Sequence, residues 1–127
     1  MANDAKVPQL DFNAFVKSLA AADPSRVAVA DLAATIAASA AGNTTGTISF
    51  GGQTITLLSA SDDYLSFFLA DGIHPGTVGQ GIIADLFAET IDGDFGAQLF
   101  PVTPTEIINY AAKVAQKGAL ASSSAYP

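Results

Sequence analysis

Apolar and polar positions divide the chain into short helical and strand-like runs. Phe12, Phe15, Val16 and Leu19 recur at helical spacing and predict a helix over 12–22. Ahead of it, Val7-Pro8-Gln9-Leu10 reads as a short strand. Asp11 then suits an N-cap, its carboxylate placed to accept from the amides of a first turn. Asp23-Pro24 ends this helix, because proline drives the residue before it out of the α region. Residues 27–41 read two ways. Val27 and Val29 alternate as in a strand, whereas Leu32, Ile36 and the alanines suit a helix.

Gly42-Asn43 marks a break. Two β-rich runs follow, Thr47 to Phe50 and Gln53 to Leu58, and the Gly51-Gly52 pair between them predicts a hairpin. Tyr64 to Ala70 is nearly all apolar, as a strand covered on both faces would be, and is expected inside a sheet. The polar turn from Asp71 to Gly76 leads into a predicted helix over 77–91, with Val78, Ile82, Ile83, Leu86 and Phe87 inward and Gly93 closing it. A last helix is predicted over 104–117. Thr103-Pro104-Thr105-Glu106 forms a capping box with proline at the first helical position, and Gly118 is a natural stop.

Composition narrows the partners. The 127 residues suit one domain, expected over 1–120 with a flexible tail over 121–127. A folded chain of this mass exposes roughly 6,300 Å² against about 18,600 Å² unfolded. Half the residues are hydrophobic and mean hydropathy is +0.37, which argues against disorder. Alanine accounts for 25 positions, which favours helices with thin, close-packed faces. Twelve acids against five bases leave a net charge of −7. Such a surface offers no track for a phosphate backbone and is repelled by anionic lipid, so neither nucleic acid nor a membrane surface is expected as partner. The longest greasy stretch, Val27 to Ala41, is too short to span a bilayer, and Met1 to Lys6 lacks the pattern of a signal peptide. The chain reads as soluble, with its compartment unassigned. Cysteine is absent and there is one histidine, so disulfides, thiolate nucleophiles, thiolate zinc sites and sites of several imidazoles are excluded. No cofactor is expected.

One segment stands apart: Phe67-Phe68-Leu69-Ala70-Asp71-Gly72-Ile73-His74-Pro75. An apolar run delivers an acid and the lone histidine into a turn, three residues apart. A short turn can fold the carboxylate back onto the imidazole, where it orients the ring and stabilises the imidazolium of a general base. The same pattern also serves as a purely local hydrogen-bonded cap. Asp62-Asp63 and Asp92-Gly93-Asp94 lack the spacing of a calcium loop and read as solvated loop charge. Gly76, Gly79 and Gly81 lack the lysine and the order of a phosphate loop, and read as allowing helix and sheet to approach closely.

Asp71-Gly72-Ile73-His74-Pro75, followed by Gly79, resembles the C-terminal signature block of GDSL-type esterases, the SGNH hydrolases. Val7 to Phe15 resembles that family's late strand-Asp-helix segment, Tyr64 to Ala70 its strand before the block, and Phe95 to Ile108 the tail of some bacterial members. The resemblance implies an α/β fold: a partial flavodoxin-like three-layer architecture truncated on its N-terminal side. It implies Asp71 and His74 as triad acid and base, and a small carboxylic ester as substrate. The family's Gly-Asp-Ser nucleophile motif is missing, and Gly42-Asn43 lacks the spacing of its Gly-x-Asn oxyanion block. Ser49, Ser59, Ser61 and Ser66 are the local alternatives, with nothing selecting among them.

Three functions remain open: an ester hydrolase, a non-catalytic self-assembling module, and a binding module that kept a pocket and lost its serine. Half of a doubly wound sheet would expose strand edges and an apolar face. A homo-oligomer, or a complementary chain carrying the nucleophile, is therefore expected.

Overall fold

A computed structural model describes residues 7–40, 45–57, 61–100 and 102–123. It is a mixed α/β arrangement of four helices and one small sheet among the described residues: α1 (Val7–Ala22), α2 (Leu32–Ser39), β1 (Thr47–Phe50), β2 (Gln53–Thr56), α3 (Thr77–Phe95) and α4 (Pro104–Ser123). The anticipated hairpin is present. β1 and β2 pair antiparallel with Ile48 opposite Ile55, and the turn glycines Gly51 and Gly52 both take positive φ, +57° and +75°. A type I′ hairpin turn requires that sign at both positions.

The core is small. Ile48 and Ile55 from the hairpin meet Phe67, Val78 and Ile82, with Ile108 and Ala111 of α4. From α2, Leu32 and Ile36 pack against this cluster, and Asp31 caps that helix by accepting from the Ala34 amide at 3.0 Å. Leu32 and Ile36 thus sit on a helix, and the strand alternative at Val27 and Val29 is not realised.

Several expectations need correction. Val7 to Leu10 is the start of α1 rather than a strand, and the helix runs on through Asp11, which is therefore not its N-cap. Pro8 is compatible with this, since a first-turn amide has no helical partner to lose. Three of the four apolar residues at helical spacing on α1 face solvent, Phe12, Phe15 and Leu19 being 64%, 58% and 49% exposed, while Val16 is half-buried. α3 passes Gly93 and ends at Gly96, which adopts φ +62° and donates its amide to the Asp92 carbonyl at 2.9 Å. α4 likewise passes through Gly118. A helical glycine costs only about 1 kcal/mol, which does not stop a helix without a left-handed cap.

The expected interior strand over 64–70 is the largest departure. Only isolated bridges form there, Thr56 with Ser66 in parallel and Phe68 with Pro75 antiparallel. Two of the amides a longer ladder would need are engaged locally. The Leu65 amide donates to the Asp63 carboxylate and the Ser66 amide to the Asp63 carbonyl, both at 3.0 Å. The run still meets β2 through two bonds, the Thr56 amide donating to Leu65 O at 3.1 Å and the Phe67 amide to Thr56 O at 2.9 Å. The predicted burial holds even so: Phe67 is 4% exposed, Phe68 is half-buried, and their rings meet edge to face at 4.9 Å.

Candidate acid–base site

The loop after Phe68 closes on itself. Leu69 N donates to His74 O at 2.8 Å, Gly72 N to Leu69 O at 2.9 Å, and Gly76 N to Phe67 O at 2.9 Å. Gly72 makes the reversal at φ +70°, a conformation that a Cβ disfavours. Six residues, 69–74, are thereby held as a compact projection between the buried Phe67 and the start of α3.

Within that projection Asp71 faces His74. Its Oδ1 accepts from the Ile73 amide at 2.9 Å and the His74 amide at 3.0 Å. Its Oδ2 lies 2.6 Å from His74 Nδ1. The Ile73 amide first, then the imidazole and the His74 amide, hold the Asp71 carboxyl down at about 2 from an ordinary 3.8. Asp71 is therefore an anion at neutral pH. An anion at this distance requires a proton on Nδ1, which puts the bare lone pair of the neutral ring on Nε2. The arrangement is a fixed, oriented base.

Both side chains are open to water, His74 by 72% and Asp71 by 45%. A contact this exposed to water contributes little to stability, so it orients the ring more than it holds the fold. The loop is anchored at its exit, where Gln80 Nε2 donates to the Pro75 carbonyl at 3.0 Å. The sequence pattern points to Asp71 and His74 but not to Gln80, for which no motif gives a signal.

The candidate serines lie elsewhere. Ser66 is 2% exposed, and its Oγ donates to the Phe68 carbonyl at 2.8 Å. Ser61 Oγ accepts from the Asp63 amide at 3.0 Å. Ser49 is exposed on β1, opposite Thr54. Ser59 falls outside the described residues. No serine among the described residues hydrogen-bonds to His74.

The glycines beside the loop act in packing. A Cβ at Gly79 would run into the Phe67 carbonyl oxygen, and one at Gly81 into the Ile107 side chain of α4. The acidic pairs are used structurally: Asp63 in its turn, and Asp92 through Oδ1, which accepts from the Leu99 amide at 2.7 Å. Among the described residues no group of three or more His, Asp or Glu side chains could hold a metal ion, and no helix is long and apolar enough to cross a membrane. Compared with known proteins, the chain matches no family model, no curated protein and no solved structure.

Proposed function

We propose that the Asp71–His74 pair is the acid–base half of a serine carboxylic-ester hydrolase of the GDSL, or SGNH, type. The chain would be a remnant of that family's three-layer fold. The reading is carried by the 2.6 Å contact between Asp71 Oδ2 and His74 Nδ1 within an Asp-x-x-His-Pro block. In the reaction, Nε2 takes the proton of a serine hydroxyl as its oxygen attacks the ester carbonyl. The protonated ring then returns that proton to the leaving alcohol. A water molecule repeats the cycle to free the acid. Asp71 keeps the ring oriented and offsets the charge it acquires. The serine and the oxyanion donors come from outside the described residues, on a complementary segment or chain. The apolar residues flanking the loop favour short acyl or aromatic esters.

A non-catalytic binding or assembly remnant is the second reading. It is favoured by the 72% exposure of His74 and by the local hydrogen bonds of Ser61 and Ser66. Hydrolysis of p-nitrophenyl acetate by the purified chain separates the two. Even without its serine, the oriented imidazole should exceed an equal concentration of free imidazole. His74→Ala should remove at least about tenfold of that rate, since a placed general base is worth 10²–10⁴ in a complete site. Equal rates for the wild-type chain and His74→Ala would leave the second reading.

A further inference from the structure

An apolar surface lined by neither residue of the dyad runs along the groove between α3 and α4. The groove encloses about 820 Å³, and Ala84, Phe100, Val102, Tyr110 and Lys113 are among the residues lining it. Phe100 is 97% exposed, Tyr110 64%, Phe87 54% and Phe95 42%. Phe87 and Ile91 continue the Gln80–Ala84 row of α3 at helical spacing, so the apolar face extends beyond the groove. With roughly 200 Å² for a whole aromatic side chain, these four rings alone expose about 500 Å². Ile91 and Val102, 37% and 53% exposed, enlarge the face further. That total approaches the ~800 Å² per partner that a stable protein interface buries.

The charges on this face identify its occupant. Glu106, Tyr110 and Lys113 follow one another at i, i+4 and i+7 on α4, and all three line the groove. An acid and a base lie on either side of Tyr110 on the same stripe. Such a stripe is complementary to itself when a second copy approaches antiparallel. A two-fold axis at Tyr110 sets each Glu106 against the other copy's Lys113, so two ion pairs form from one patch, as an isologous interface requires. Glu106 Oε2 is engaged with the Thr103 amide and hydroxyl at 2.8 Å, and its second carboxylate oxygen serves the pair.

The geometry points to a symmetric homodimer through this face, with α4 antiparallel to its copy and Phe100 and Tyr110 as central anchors. The inference stands apart from the catalytic reading, because no residue of the dyad takes part. Sedimentation at micromolar concentration should give twice the 12.8 kDa chain mass. Lys113→Glu, checked for folding by circular dichroism, should raise the dissociation constant at least tenfold. The chain has no cysteine, so Asn109→Cys, on the groove and beside the axis, introduces a single thiol and leaves the Tyr110 anchor in place. Mild copper-catalysed oxidation should lock that variant as a covalent dimer and leave Phe15→Cys, on exposed α1, without a covalent link. A wild-type monomer at 100 µM, an unchanged dissociation constant for Lys113→Glu, or locking through Phe15→Cys instead of Asn109→Cys would each overturn the proposal.

Discussion

At the scale of single residues, Asp71 is the most constrained group of the candidate site. Its carboxylate is fixed mainly by backbone amides, with the Ile73 amide first, so its low pKa does not depend on His74 alone. A depressed folded pKa contributes stability above the unfolded value of 3.8, and that contribution is lost as pH falls toward about 2. A carbon-detected NMR titration should therefore place the Asp71 midpoint near 2. In His74→Ala it should rise but stay below 3.8, because the Ile73 contact survives. A midpoint at the ordinary value in that variant would show that the imidazole supplied the whole effect. The pair itself was legible in the sequence, because an Asp-Gly turn with histidine at the third position needs only local geometry to close. The exposure of the pair was not, because it depends on what else packs around the loop.

At the scale of elements, the glycines separate local preference from packing. Gly93 lies within α3 and has open space where a methyl group would sit, with no atom within 4 Å, whereas a methyl at Gly79 meets the Phe67 carbonyl. Gly93→Ala should stabilise the fold by about 0.5–1 kcal/mol, the ordinary helical gain. Gly79→Ala should destabilise by roughly 1–3 kcal/mol despite the same gain, because a backbone oxygen has to move. Urea midpoints of the two variants shifting in the same direction would refute this contrast. The ends of α4 make a similar point. Thr103 and Glu106 announce its start through a reciprocal cap, observed with the Thr103 amide donating to Glu106 at 2.8 Å. Gly118 suggests an end that α4 ignores, because a glycine is only permission to stop.

At the scale of the whole molecule, eight hydrophobic residues among the described ones are buried while fifteen large ones are exposed, so the core is small. A core centred on a few aliphatic residues leaves a small margin. Ile55 is completely buried within it. Ile55→Ala should cost about 2–5 kcal/mol, a large part of the stability of a domain this size. Thermal unfolding followed by circular dichroism should show that variant largely melted at 37 °C. An unchanged transition would mean that stability resides outside the hairpin–α3–α4 cluster.

The amino-acid sequence by itself determined the local features. The Gly51-Gly52 turn follows from backbone sterics, the α4 cap from a hydroxyl and a carboxylate three residues apart, and the Asp71–His74 contact from a six-residue loop. Each involves partners a few residues apart, so their geometry is set within one turn of chain. Tertiary structure decided what apolar runs do. The 64–70 run is equally apolar as an inner strand or as a half-extended segment, and the Asp63 turn withdrew the Leu65 and Ser66 amides from the ladder. Phe12, Phe15 and Leu19 have helical periodicity whether or not another element covers them, and here none of the described elements does. Hydrophobic burial has no direction and no sequence range, so a pattern can mark which side chains would gain from it while only the assembled fold decides which do.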